Sequence, residues 1–253
     1  MSNTILFVFE GAKIEGLITQ NLTNFYINES INVQFAFCGE VYQLYSKLYE
    51  DDDLDTFSIL KNRPQNKDIL APYDRNDFAE IYLFFDYDGH ASNADDDALK
   101  GMLSFFDEET EYGKLYISYP MVEALKHISS TIDFKNLRVL AKENIGYKQQ
   151  VENEAEEKLK HFKKYTKEIW LHVIEMHLMK MNFLVENNYS IPTSLFSQLE
   201  IFNCQLTKHI NLDSSVAVLS GFPIFISDYY GIKHISNEIT LVKNNQQSAT
   251  PKY

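Results

Sequence analysis

Two uninterrupted apolar runs, residues 5–9 (ILFVF) and 81–85 (IYLFF), each end directly in a carboxylate, Glu10 and Asp86. Five consecutive apolar residues of branched and aromatic type fit a strand buried on both faces, as in a parallel sheet covered by helices above and below. After the first run Gly11 breaks the pattern, and Ile14, Leu17, Ile18, Leu22 and Phe25 recur at helical spacing. Residues 32–38 alternate well enough for another strand, and Val41, Leu44, Tyr45 and Leu48 mark another helix. The run at 81–85 is followed by a predicted helix over 94–106 and a short strand over 114–117. Strands alternating with helices in this way predict a doubly wound α/β domain with a central, mostly parallel sheet.

The rest of the chain reads differently. Residues 50–55 (EDDDLD) are an acidic turn, and the stretch up to Asp77, with Pro64 and Pro72, reads as a connection with a short helix. Beyond about residue 128 long amphipathic segments take over. The clearest is 151–187, with Leu159, Phe162, Ile169, Trp170, Val173 and His177 on related faces. A further helix is predicted over 192–210, Ser220-Gly221-Phe222-Pro223 reads as a turn, and 244–253 is a polar, frayed tail. Trp170 reads as helix-packing core. A helical C-terminal region over 131–243 therefore follows the α/β part over 1–130.

Composition narrows the function classes. A chain of 253 residues that is 45% hydrophobic, with 9 Gly and 6 Pro, is neither disordered nor collagen-like. Cys38 and Cys204 stand far apart without CxxC spacing, which predicts no thiolate zinc site and fits a reducing cytoplasm. The first residues lack the basic segment of a signal peptide, and no apolar run nears the roughly 18 residues that span a bilayer. A soluble, cytoplasmic protein with no membrane partner is expected. With 36 acidic against 23 basic residues the net charge is -13, so bulk field does not draw the chain to nucleic acid. A nucleic-acid substrate would need a local basic surface, a bound cation or a partner subunit.

In an open parallel sheet, groups just past the carboxyl ends of neighbouring strands converge on one crevice. Should the strands at 5–9 and 81–85 be adjacent, Glu10, Asp86 and Asp88 share that crevice. Like charges so close repel unless a hard divalent cation neutralises them, and oxygen donors select magnesium or manganese. Alternate residues leaving a strand, as in the DxD of Asp86 and Asp88, can both reach one ion. Acidic residues at such positions also serve simply as solvated loop groups or helix caps. Lys13 could neutralise a phosphate from the first turn of its helix, or be a solvated surface lysine. His90 follows the DxDG stretch as a candidate substrate contact or a bystander. Lys158, Lys160, Lys163, Lys164 and Lys167, with His161, form the densest basic run. That run either tracks a nucleic-acid backbone or pairs with Glu154, Glu156 and Glu157.

Phe9-Glu10-Gly11-Ala12-Lys13-Ile14-Glu15 resembles the first motif of Toprim nucleases of the RloB and OLD (overcoming lysogenisation defect) type. Phe85-Asp86-Tyr87-Asp88 resembles their DxD motif, and Ser118-Tyr119-Pro120-Met121-Val122-Glu123-Ala124 is similar to their later segment, in which a strand ends in Ser-x-Pro and a glutamate sits on the following helix. The three occur in family order over about residues 4–130, although Ile14 stands where the family carries Ser or Thr. The resemblance implies a Toprim (Rossmann-like) catalytic domain over 1–130 and a metal-dependent phosphodiesterase cutting DNA or RNA, tRNA included. It assigns Glu10 as general base or ligand, Asp86 and Asp88 as ligands of a catalytic magnesium, and Glu15 and Glu123 to a second metal. It also implies a toxic effector in bacterial anti-phage defence, regulated by an ATPase sensor subunit, and is compatible with a homo-oligomer.

Two other readings compete. The stretch Phe84-Phe85-Asp86-Tyr87-Asp88-Gly89 also looks like the DxDG loop of haloacid-dehalogenase-like phosphatases, with Asp86 as nucleophile and Asp88 as acid. That family carries the loop on its first strand and makes no use of Glu10. Alternatively the domain is a non-catalytic acidic module that binds an ATPase partner.

Overall fold

The computed structural model describes residues 4–11, 14–87, 95–141 and 146–248. Strand β1 (Thr4–Phe9) leads through α1 (Ile14–Tyr26) to β2 (Asn32–Phe37) and α2 (Val41–Glu50). Two short helices, α3 (Thr56–Lys61) and α4 (Lys67–Leu70), lie in the connection to β3 (Phe78–Asp86). Helix α5 (Asp96–Phe105), the two-residue β4 (Asp107–Glu108) and β5 (Gly113–Ser118) follow. The second half comprises β6 (Arg138–Leu140), α6 (Tyr147–Glu154), α7 (Lys167–Glu186), α8 (Gln198–Gln205), a π-turn over Leu206–Ile210 and α9 (Asn211–Asp213). It closes with β7 (Ser215–Ala217), α10 (Gly221–Tyr230) and α11 (Ile232–Ser248).

The strands order as β2-β1-β3-β5-β4, all pairs parallel except β4 with β5. The chain is thus α/β, with a central, mostly parallel sheet and a helical C-terminal region. Strands β1 and β3 are neighbours, with Phe9 opposite Phe84, and Asp86 stands opposite Ser118 of β5. Both runs are buried throughout because each sheet face is covered. Phe7, Phe9, Tyr82, Phe84 and Tyr116 share one face by register. Onto it α10 lays Phe222, stacked on Phe84 at 4.5 Å between centroids, and Phe225, edge-on to Phe7 at 5.4 Å. Each such ring contributes about 2–3 kcal/mol by burial. Leu6, Val8, Leu83 and Leu115 are buried on the other face.

Gly221 is what lets α10 come so near. A Cβ there would lie 3.0 Å from Cβ of Tyr116 and 3.3 Å from the Ile117 carbonyl oxygen. The Gly221 N–H donates to Oγ of Ser118 at 3.2 Å. A backbone bridge between Tyr119 and Leu219 ties the end of β5 to the segment before α10. Trp170, fully buried on α7, donates to Oδ1 of Asn21 on α1 at 2.7 Å and fills the core as its residue type suggested.

Three expected elements take another form. The helix predicted over 151–187 is two helices, because the chain turns extended at Ala155 and passes through 3-10 turns at Glu157–Leu159 and Phe162–Lys164. Leu159 and Phe162 are still buried, Leu159 ending one 3-10 turn and Phe162 opening the next after an extended His161. Thr166 then caps α7 by accepting from the Ile169 N–H. The helix predicted over 192–210 begins only at Gln198, where Ser197 and Glu200 form a reciprocal capping box. Residues 220–223 open α10 instead of making a free turn, with Pro223 in the first helical turn, where its missing N–H costs nothing. Among the described residues no helix is long and apolar enough to cross a membrane.

Candidate functional site

The carboxyl edge of the sheet gathers four acidic side chains from three separate stretches of sequence. Glu10 directly follows β1, and its carbonyl accepts the Gly39 N–H at 3.1 Å, which fixes the start of the loop after β1 against that after β2. Asp86 is the last residue of β3 and accepts a hydrogen bond from the Val122 N–H. Glu15 lies in the first turn of α1 and folds back over the β1 loop, its carboxylate oxygens 3.9 Å from where a Gly11 side chain would begin. Glu123 sits in a 3-10 turn, Val122–Lys126, that follows β5 by way of a cis Tyr119–Pro120 peptide. The resemblance put this glutamate on a helix; the turn is tighter than that.

Tyr87 separates the chemistry from the core. Its ring packs against Tyr119 and Phe202, and its hydroxyl donates to Asp96 at 2.8 Å. Strand alternation therefore turns Tyr87 away while Asp86 is held toward Val122. Asp88, Lys13 and His90, named from the sequence, lie outside the described residues.

The electrostatics of this edge are those of crowded, buried acids. Asp86 keeps some accessible surface, yet burial raises its carboxyl well above the ordinary range, and the negative charges of Glu10, Glu15 and Glu123 push it further. The Val122 N–H opposes this only in part. Glu15 is raised as well, first by burial, with its own backbone N–H working against the shift and Glu123 with it. Glu123 is 3% exposed, and its Oε2 is buried without a hydrogen-bond partner among the described residues. Its Oε1 lies 3.7 Å from the Lys148 ammonium. An orphaned carboxylate oxygen of this kind is costly unless something positive meets it.

An all-oxygen donor set with an unsatisfied carboxylate suits a hard divalent cation in kind. In placement it is open: among the described residues no three His, Cys, Asp or Glu side chains are disposed so as to hold an ion between them. Two residues at this edge were not singled out from sequence. Tyr147 and Lys148 open α6 directly after Gly146, which adopts a left-handed backbone at φ 59°. Tyr147 is buried, bonded to Nδ1 of His127 at 3.0 Å, and feels the charges of Glu123 and Asp86. Lys148 is the described cation that offsets Glu123 and Glu15. A glycine before a helical start is the only local mark of either, and it does not point at a site.

The lysine run takes the second of its two readings over much of its length. Lys158 pairs with Glu156 at 2.9 Å and Lys160 with Glu157 at 3.0 Å. Lys167 pairs with Glu238 at 3.0 Å and lies over the Tyr26 ring. Comparison of the chain with protein-family models, with curated proteins and with solved structures returned no match.

Proposed function

We propose that the chain is a metal-dependent nuclease of Toprim type, hydrolysing phosphodiester bonds of DNA or RNA as a toxic effector under the control of an ATPase partner. The observation that carries this reading is the adjacency of β1 and β3, which brings Glu10 and Asp86 to one edge where Glu15 and Glu123 also arrive. Glu10, Asp86, Glu123 and Glu15 are the residues that would hold magnesium or manganese. Such an ion supplies charge stabilisation to the oxygens of an in-line displacement. Glu10, only half-buried at the end of β1, would take a proton from the attacking water. Asp86, anchored by the Val122 N–H, orients the donor set, and Lys148 limits the repulsion around Glu123.

The phosphatase reading uses Asp86 but leaves Glu10, Glu15 and Glu123 without a role, although all three act on Asp86. The test is incubation of the purified chain, alone and with co-purifying partners, with plasmid, single strands and tRNA in magnesium or manganese. Metal-dependent cleavage abolished by both Glu10→Gln and Asp86→Asn is the expected result. Phosphatase activity that survives Glu10→Gln, or no cleavage under any combination, would overturn the proposal.

A further inference from the structure

A cavity of about 550 Å³ opens on the helical side of the molecule, between the start of β6, the C-terminal part of α7 and the π-turn. Its charge is opposite to that of the chain as a whole. Lys135, Arg138, Lys180, Lys208 and His209 line it, no Asp or Glu is among the described residues that line it, and Phe183 supplies an aromatic wall. Several of these basic groups are held from behind. Lys180 is 1% exposed and donates to the carbonyls of Phe134 at 2.6 Å and Leu137 at 2.5 Å. Lys208 donates to the Leu184 carbonyl. Lys135 lies 4.4 Å from the centre of the Phe183 ring. Arg138 bridges Asp213 at 3.1 Å and reaches Nδ1 of His209 at 3.4 Å.

Like charges gathered around one concavity repel, and the effect is visible within it: burial first, then the charge of Arg138, lowers the pKa of His209. An anion in the cavity would remove that repulsion. The volume lies within the roughly 300–1,000 Å³ of small-molecule sites, and the aromatic wall beside the cations suits a ligand with a planar body and a phosphate. A continuous nucleic-acid backbone would call for an extended basic track, whereas Lys167 lies at the far end of α7 from the cavity and lysines 158, 160 and 167 are already paired with glutamates.

We propose that this cavity is a nucleotide-binding site, with the phosphate on Arg138, Lys135 and Lys208 and the base along Phe183. It is separate from the acidic edge and does not depend on the nuclease reading. The test is titration calorimetry of the full chain in EDTA with AMP, ADP and ATP, with inorganic phosphate and adenosine as half-ligands, and with a short RNA. One nucleotide per chain is expected, bound more tightly than phosphate or adenosine and displaced poorly by the RNA. Lys135→Glu combined with Lys208→Glu should weaken binding by at least about tenfold. Arg138→Gln should weaken it by a similar factor, which covers the case where the double variant does not fold. Glu10→Gln should bind as wild type. Absence of binding by every nucleotide, phosphate binding as tightly as AMP, preference for the RNA, or wild-type affinity in folded variants would overturn the assignment.

Discussion

Lys180 and Asp86 are both ionisable groups carried deep into the chain, and their surroundings differ in kind. Around Lys180 two backbone carbonyls accept from the ammonium and the Phe134 ring lies 4.7 Å away. Burial still lowers its pKa to about 7, but its donors have partners. His177, one helical turn earlier on α7, is similarly provided for: Nδ1 accepts from the Ser220 N–H at 3.2 Å, so Nε2 carries the proton and faces the Leu125 carbonyl. At Asp86 the neighbours are mostly more carboxylates, and Glu123 beside it keeps an oxygen with no hydrogen-bond partner among the described residues. Buried charge that serves the fold is enclosed by complementary backbone. Buried charge left facing its own sign marks a place where something from outside completes the structure.

The sharpest way to break this contrast is through activity. Asp86→Asn and Glu10→Gln should each lower metal-dependent cleavage by on the order of a hundredfold or more in single-turnover assays. Comparable loss from Lys180→Met in a folded protein would show that the two regions are not distinct in role.

Next in size is the response to acid. His177 is held at about 3 in the fold against an ordinary 6.5, so between those values the unfolded chain binds a proton that the folded one does not. Stability is therefore complete above about pH 6.5 and falls as pH drops through the window, by about 1.4 kcal/mol per unit at most and a few kcal/mol in all. Urea titrations at stepped pH check this, and His177→Gln should flatten the slope.

Asp86 carries the opposite sign. Its folded pKa is raised, so its stability contribution is present at low pH and is lost as pH rises above the ordinary carboxylate range. Asp86→Asn should then stabilise the metal-free protein by about 1–3 kcal/mol at neutral pH while abolishing cleavage. Thermal melts with and without magnesium measure both parts, and magnesium should raise the wild-type melting temperature but leave the variant unmoved. A destabilised Asp86→Asn variant would mean that this carboxylate is structural.

The smallest effect belongs to the surface pairs. Lys158→Ala with Lys160→Ala should change stability by no more than about 1 kcal/mol and leave cleavage within about twofold. A large loss of nucleic-acid binding would restore the lysine run as a substrate track.

What could be read from the sequence was whatever depends on short stretches alone. The runs ending in Glu10 and Asp86 announce strands buried on both faces, and the alternation with helical spacing announces their parallel pairing. The break after Glu154 was hidden because Leu159 and Phe162, buried by two separate 3-10 turns, keep a spacing of three that also fits one face of an α-helix. Strands β6 and β7, three residues each, owe their existence to distant partners: Gln205 both donates to and accepts from the backbone of Ala217. Lys148 comes to Glu123 from across a fold that no local pattern encodes.

Phe222 and Phe225 roof strands that were synthesised more than a hundred residues earlier. A nascent polypeptide leaving the ribosome amino end first therefore holds an open aromatic sheet until α10 has emerged, and the ordered acidic edge must wait with it. The aromatic face of the sheet is therefore closed, and the acidic edge beside it complete, only once α10 has folded onto the strands.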